Sequence, residues 1–409
     1  MTAALRILLL ADTHMGLDLP LRPRVERRRR GLDFLANMRL ALEPALNHEA
    51  DLVVHGGDLL DRGRVPAAVV EMALEPLLEV ARAGVPVFLV PGNHERSRIP
   101  LHLWTAHPKL HIFHEPGTFV IRVRDCRVAL AGFPFDRQAR TTFSQRVAET
   151  HHSIAFGDIN DETNADLRLL CVHQTVEGAQ VGPGNYTFRS GADVVRGRDV
   201  SPGFAAVLSG HIHRRQVLTH DLGGRPMAAP VFYPGSVERT SFAERDEPKG
   251  YVWLEFIRER EDPPRRTRRR EGQEEARRGE GEEAMPETVR TLGGSPRSSP
   301  CDLGGLGGES GWTVRAEFRE LPARPMLSLV LQTEGRSAAA LAHELRNRLA
   351  ALPPDAVVRI GLRGPPTPEA PCVLSAARLR EWAPSSMNVS VAGSVFRQGM
   401  SHKDTKISR

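Results

Sequence analysis

The segment Gly56-Gly57-Asp58-Leu59-Leu60-Asp61 is the most informative stretch of this sequence for fold and function. It follows the apolar run Leu52-Val53-Val54, which is typical of a buried strand. The two glycines let the backbone turn sharply where that strand ends, so Asp58 is expected at the rim of a sheet. Its two carboxylate oxygens could bind two cations, or its side chain could cap a turn or the next helix.

Strand and helix patterns alternate on both sides of this segment. Residues 5–10 and 85–90 are apolar runs that we interpret as strands. Apolar residues between 34 and 46 recur on one helical face, and 66–83 has a second amphipathic pattern that Gly84 ends. This alternation predicts a layered α/β domain. Further strands are predicted at 119–123, 128–131, 167–172, 205–208, 231–233 and 251–256.

The composition divides the chain into four parts. Residues 1–257 hold the alternating pattern. From 258 to 310 large apolar side chains almost vanish, which predicts a charged disordered linker. Order is expected to return in a small domain at 311–396, with strands at 314–321, 327–332 and 356–360 and a helix at 338–352. A polar tail follows at 397–409.

Charge and composition limit the classes of function. The 409 residues carry a formal net charge of +5 and a pI of about 9.3, nearly all from arginine. This balance suits a polyanionic partner, although charge alone favours the simpler explanation of an arginine bias without function. The four cysteines form no C-x-x-C pair, so neither a zinc ribbon nor a redox motif is indicated. The apolar run 7–11 is too short to span a bilayer, and we expect a cytoplasmic protein without a membrane segment.

Polar side chains follow five of the predicted strands. Sites in α/β sheets collect at the carboxyl ends of strands, so these side chains are expected to meet. Mixed carboxylate, carboxamide and imidazole groups suit a divalent metal such as Mn²⁺, Fe²⁺ or Zn²⁺. Each piece alone is more often a turn than a ligand pair, but the ordered combination favours a metal site. The residues are Asp12 and His14, Asp58, Asn93 and His94, His173, and His211 and His213.

In this order the motifs resemble those of the calcineurin-like metallophosphoesterases. That family has Asp-x-His, Gly-Asp-x-x-Asp, Gly-Asn-His-(Asp or Glu), a lone His and Gly-His-x-His, and all five blocks occur between residues 12 and 213. The resemblance implies an α/β fold, a four-layer α/β/β/α sandwich with two metals at one edge. A small C-terminal α/β capping domain is expected to follow this sandwich.

The resemblance also assigns roles to the matching residues. His94 would stabilise the transition state and protonate the leaving oxygen. Asp61 either orients His94 or a metal ligand, or caps the next helix. Two metals, with Mn²⁺ the first choice, would activate water and bind phosphate oxygens. One metal would be held by Asp12, His14, Asp58 and His213, and the other by Asp58, Asn93, His173 and His211.

Within the superfamily, three stretches resemble the SbcD-like DNA repair nucleases. They are 173–178, 233–240 and 249–251, and 320–325 is similar to the start of their capping domain. This implies a DNA substrate with duplex ends and hairpins, 3′ to 5′ exonuclease and endonuclease activity, and an SbcC-type coiled-coil ATPase partner. None of the four lysines follows a glycine, so this chain has no P-loop of its own. The same resemblance allows a homodimer, which the sequence does not decide.

Two alternatives compete with a nuclease. The blocks at 57–63 and 92–95 also resemble serine/threonine phosphatase signatures, and a DNA-end scaffold with an idle metal site would keep the same residues. Arginines near the motifs are candidate contacts to the DNA backbone, against the simpler interpretation of solvated surface charge. They are Arg62, Arg64, Arg96, Arg98, Arg189, Arg214 and Arg215.

Overall fold

The computed structural model describes residues 4–20, 22–95, 107–151, 154–156, 165–258, 301–302, 311–365 and 370–392. Its helices are α1 Arg30–Leu46, α2 Ala67–Arg82, α3 Ala139–Thr150, α4 Ala338–Ala350, α5 Ala370–Val373 and α6 Ala376–Trp382, with 3₁₀ turns at Gly197–Asp199 and Phe242–Glu244. Its strands are β1 Ala4–Leu10, β2 Leu52–His55, β3 Val87–Leu89, β4 Leu110–Ile112, β5 Gly117–Val123, β6 Cys126–Gly132, β7 Ile154–Phe156, β8 Leu167–Val172, β9 Thr175–Val176, β10 Gln180–Val181, β11 Tyr186–Thr187, β12 Val194–Val195, β13 Ala206–Ser209, β14 Gln216–His220, β15 Pro226–Tyr233, β16 Gly250–Arg258, β17 Cys301–Asp302, β18 Trp312–Glu320, β19 Met326–Gln332, β20 Val357–Arg363 and β21 Asn388–Val391.

Two mixed seven-stranded sheets form the centre of the fold. The first has the strand order β17-β18-β16-β1-β2-β3-β4, and the second has β14-β15-β13-β8-β6-β5-β7. Strands β1 to β4 run parallel to one another, as do β6, β8, β13 and β15. Each parallel set therefore delivers its carboxyl ends to one edge of its sheet.

The alternation of side chains along the strands separates three layers of core. In β1, Ile7 and Leu9 face the second sheet, whereas Leu8 and Leu10 face the helices α1 and α2. In β8, Leu169 and Cys171 lie in the core between the sheets, and the alternate residues pack towards α3. Strands apolar on both faces are thus buried between a helix layer and the other sheet. The predicted four-layer α/β/β/α class is confirmed.

One strand lies in a different place from that predicted. The sequence predicts residues 312–320 in the small capping domain, but β18 pairs along its whole length with β16 of the first sheet. The alternating apolar residues of β18 complete the core between the sheets, which explains the position. Cys301 and Asp302, inside the predicted linker, pair with Ala316 and Arg315 of the same strand. The remainder of that linker beyond Arg258 and the tail at 397–409 lie outside the described residues, and the domain bounds stay a prediction.

Helix α3 was not predicted, because only Ala139, Phe143 and Val147 mark its apolar stripe. Among the residues that the structure describes, no helix is both long and apolar enough to span a membrane.

The C-terminal part has its own three-stranded parallel sheet, β19-β20-β21, covered by α4, α5 and α6. It docks on the start of α1 through a buried ion pair. Arg324 Nη1 lies 2.8 Å from Asp33 Oδ2, and the two side chains are 7% and 6% exposed. The same guanidinium donates to the backbone oxygens of Asp355 and Ser386 at 2.6 Å each. One arginine therefore joins α1 to the C-terminal sheet.

We expect Asp33→Asn to destabilise the protein by about 3–5 kcal/mol, because it leaves the buried charge of Arg324 without its partner. Equilibrium urea unfolding measures this. Glu79→Gln is the matched control, since Glu79 pairs with Arg39 at 2.8 Å on the surface and should cost less than about 1 kcal/mol. Equal losses in the two variants would contradict the role given to the buried pair.

Candidate metal centre

The carboxyl ends of five strands meet where the two sheets face each other. Asp12 and His14 follow β1, Asp58 follows β2, and Asn93 and His94 follow β3. From the second sheet, His173 follows β8, and His211 and His213 follow β13. The backbone oxygen of Gly56 lies 2.7 Å from His173 Nδ1, so the loops of the two sheets are in direct contact.

Four of these residues have a left-handed backbone. The φ angles are 53° for Asp12, 43° for His14, 50° for Asp58 and 83° for His211. Non-glycine residues rarely adopt this region, and each such residue costs roughly 1 kcal/mol or more. Because strained backbone clusters at functional sites, the four left-handed residues mark this edge as a candidate functional site.

One group of side chains joins Asp12, His14 and His213. The Nε2 atoms of His14 and His213 lie 3.0 Å apart, and His213 Nε2 lies 4.0 Å from Asp12 Oδ1. Ligand atoms from the three residues all fall within 4.8 Å of one another. Two imidazole nitrogens directed at one point beside a carboxylate fit a cation between them.

A second group lies around Asn93. Its Oδ1 is 2.9 Å from His211 Nδ1 and 3.2 Å from His173 Nε2. His173 Nε2 is also 3.5 Å from Asp58 Oδ2, and one ligand atom from each of Asp58, His173 and His211 lies within 4.8 Å of the other two. Asp12 links the two groups, since both of its carboxylate oxygens accept the backbone N–H of His211 at 3.1 Å.

His94 lies at the open side of the cluster. Its Nε2 is 3.8 Å from Asp58 Oδ2, and its side chain is 32% exposed where that of Asp58 is 3% exposed. Its backbone N–H donates to Asp58 Oδ1 at 3.1 Å. With His14 and Asp58 it forms a third group of the same kind, so His94 borders the cluster and remains accessible from outside.

Charge is balanced inside the cluster by one buried pair. Burial alone would raise the pKa of Asp58, but the adjacent positive His173 and its hydrogen bond hold that pKa far below its usual range. Burial likewise opposes a charged His173, yet Asp58 raises the pKa of His173 to about 9. Burial and the His173 charge lower the pKa of His211 to about 3. Buried carboxylates thus lie beside imidazole nitrogens in this cluster, and this donor set fits a divalent metal.

A family model supports what this geometry suggests. The model described as calcineurin-like phosphoesterase matches residues 5–215, a range that includes every residue of the three groups. The chain belongs to the calcineurin-like phosphoesterases. The resemblance stated from the motifs is therefore confirmed.

Curated relatives of this phosphoesterase carry the name DNA double-strand break repair protein Mre11. The one from Haloferax volcanii is 30% identical over 269 residues, 64% of this chain and 52% of that protein. The one from Aeropyrum pernix is 24% identical over 264 residues, 61% of this chain and 58% of that protein. The chain thus spans little more than half the length of these relatives.

A solved structure, a dimetal phosphatase from Danio rerio, is 14% identical and covers 62% of this chain and 95% of its own, with a TM-score of 0.36. That likeness is too distant to argue from.

Two buried side chains hold the phosphoesterase loops in place. His55 contacts Thr13 Oγ1 at 3.1 Å through Nε2 and accepts the backbone N–H of Gly57 at Nδ1. Glu95 accepts the N–H of Leu60 at 2.5 Å and that of Gly92 at 2.9 Å, so it joins the Asp58 loop to the Asn93 loop. Neither residue is among the predicted site residues. The sequence signal that could have identified them is a polar residue inside a buried strand or directly after a ligand motif.

The arginines predicted to contact DNA differ in their exposure and in whether they already pair within the protein. Arg62 is exposed and pairs with Asp61 at 3.0 Å, and the N-cap of α2 is Pro66, so Asp61 does not cap that helix. Arg189 is also exposed. Arg214 donates hydrogen bonds within the protein, to Glu247 at 2.9 Å and to Asn185 in the turn before β11. Arg96 and Arg98 lie outside the described residues.

A cavity of about 470 Å³ lies beside Phe135. Phe135 lines it, and the Phe135 ring centroid lies 5.4 Å from that of His211. Charged side chains at its walls include Asp136 and Arg137. The residues that line the cavity include none of the predicted metal ligands.

We expect Gly92→Ala to destabilise the protein by about 1–3 kcal/mol, because the added Cβ would lie 2.2 Å from Asp58 Oδ1 and 2.4 Å from the Asp58 backbone nitrogen. Gly184→Ala is the control, since its Cβ would meet nothing within 4 Å. Urea unfolding of both variants measures the difference. An unchanged stability of Gly92→Ala would show that the two loops are not in contact as described.

Proposed function

We propose that this chain is a two-metal DNA nuclease that hydrolyses phosphodiester bonds, as a 3′ to 5′ exonuclease with endonuclease activity, in the repair of double-strand breaks. The observation that carries the proposal is the convergence of the Asp12–His213 group and the Asn93 group on either side of Asp58. Family membership supports a phosphoesterase, and the names of the curated relatives support DNA as the substrate.

Each side chain of the cluster has a role in this proposal. Bound divalent cations, with Mn²⁺ the first choice, would supply a nucleophile from water and positive charge for the phosphate oxygens. Asp58 lies between the two groups and can serve both. Asn93 is a neutral ligand, which leaves the cluster with excess positive charge for a phosphodiester. One cation would be held by Asp12, His14, Asp58 and His213, and the other by Asp58, Asn93, His173 and His211.

His94 is proposed to act on the leaving group. Its position beside Asp58 and His14, with the side chain partly exposed, places the imidazole at the side from which a phosphodiester would enter. A positioned imidazole that protonates the leaving oxygen contributes about 10²–10⁴-fold to such a reaction.

The surroundings of the site are part of the same proposal. Exposed Arg62 and Arg189 would contact the DNA backbone without base specificity. An SbcC-type coiled-coil ATPase would supply ATP hydrolysis, since the chain has no Gly-Lys pair for a P-loop. The proposed location is the cytoplasm. The C-terminal α/β unit would serve as the capping domain. A homodimer is compatible with this proposal but is not required by it.

The runner-up is a metal-dependent phosphoprotein phosphatase, which would use the same cluster. The names of the relatives and the paired His211 and His213 favour the nuclease. A scaffold without catalysis is opposed by the complete set of donor groups in the cluster.

We expect the purified chain to degrade a linear, end-labelled DNA duplex with Mn²⁺ and to lose this activity with a chelator. His94→Ala should lower kcat by about 10²–10⁴-fold and leave Mn²⁺ binding intact, because it removes a proton donor and not a predicted metal ligand. Calorimetry of Mn²⁺ binding and a gel assay measure the two effects.

A phosphopeptide incubated in parallel separates the alternatives. Release of phosphate without degradation of the duplex would reject the nuclease and support the phosphatase. Absence of both activities in the presence of bound Mn²⁺ would support the scaffold.

A further inference from the structure

A fully buried lysine lies directly behind the candidate metal centre. The Lys249 side chain is 0% exposed, although lysine is almost never fully buried unless it is paired. Its Nζ lies 2.8 Å from Glu244 Oε2, 3.2 Å from Glu247 Oε2 and 2.8 Å from the backbone oxygen of His213. Three ammonium donors thus meet three acceptors, and one of these belongs to a candidate metal ligand.

The first carboxylate, Glu244, reaches the imidazole of that ligand. Glu244 Oε1 lies 3.2 Å from His213 Nδ1 and also accepts the Thr240 hydroxyl at 2.5 Å. The other ring nitrogen of His213 faces His14 Nε2 at 3.0 Å. A carboxylate at Nδ1 keeps a proton there and turns the lone pair of Nε2 towards the cluster.

The second carboxylate, Glu247, holds the rim of the site. Its Oε1 accepts Arg214 Nε at 2.9 Å. Arg214 also donates to Asn185 Oδ1 at 2.7 Å and to the backbone oxygen of Gly182 at 2.6 Å. This fixes the turn between β10 and β11, which presents the 62% exposed Tyr186. Lys249 therefore touches both the ligand side and the rim side of the site.

We propose that Lys249, Glu244 and Glu247 form a positioning unit with two arms, one that orients His213 for cation binding and one that orients the rim turn for DNA. The inference rests on the proposed function. None of the three residues touches the reacting atoms, so each acts through another residue. Two positive side chains, Lys249 and Arg214, balance the two carboxylates, so a change in one charge affects the others in this buried unit.

The two arms can be tested separately with isosteric substitutions. Glu244→Gln weakens the His213 arm, and we expect the affinity of one of the two Mn²⁺ sites to fall by about 10–100-fold in calorimetry. At saturating Mn²⁺ its kcat should recover. Glu247→Gln weakens the rim arm, and we expect Mn²⁺ affinity within about 3-fold of wild type but a KM for DNA raised by about 10-fold, since positioning contacts affect binding. Glu75→Gln, at the surface pair with Arg82, is the matched control and should change neither quantity.

A spectroscopic readout keeps the inference independent of the proposed activity. The hydrogen-bonded Nδ1 proton of His213, observed by ¹H–¹⁵N NMR in metal-free protein, should shift or vanish in Glu244→Gln and persist in Glu247→Gln. If wild-type protein binds no Mn²⁺ and cleaves no DNA, the proposed function fails, while this signal still decides whether Glu244 orients His213. An unchanged signal in Glu244→Gln, or equal effects of both substitutions on Mn²⁺ affinity and KM, would overturn the two-arm unit.

Discussion

The contact between the loop after β2 and the loop after β8 is the interaction on which the site depends. Gly56 offers its backbone oxygen to His173 Nδ1 at 2.7 Å, and Gly210 approaches the same peptide so closely that a Cβ there would lie 2.3 Å from the Gly56 oxygen. Such proximity requires glycine at both positions. It exists because the two sheets share one apolar core, which fixes their carboxyl-terminal edges side by side.

The rest of the centre follows from this juxtaposition and carries its costs. Buried carboxylates and left-handed ligand residues are unfavourable by themselves. They are offset by hydrogen bonds within the loops, such as those of Glu95 and His55, and by the cores on both sides of each sheet. The centre is therefore prearranged by the fold, and the Asp58–His173 pair balances charge within it.

The sequence predicted the parts whose signals are local. Runs such as 5–10 and 167–172 alternate or stay apolar as buried strands do, and the structure confirms them as β1 and β8. The candidate residues were found because motifs at strand ends are short. Partners far apart in sequence could not be found in this way: β18 joins the first sheet by pairing with β16, and Glu244 and Lys249 meet His213 only in the folded chain. Helix α3 was missed because its apolar stripe is only three residues long.

The decisive measurement is the position of bound metal relative to Asp58. Crystals grown with Mn²⁺ and measured at the manganese absorption edge would give the ion positions from anomalous scattering. We predict two peaks that share Asp58, one beside Asp12, His14 and His213 and the other beside Asn93, His173 and His211. A single peak away from Asp58, or none at saturating Mn²⁺, would contradict the account.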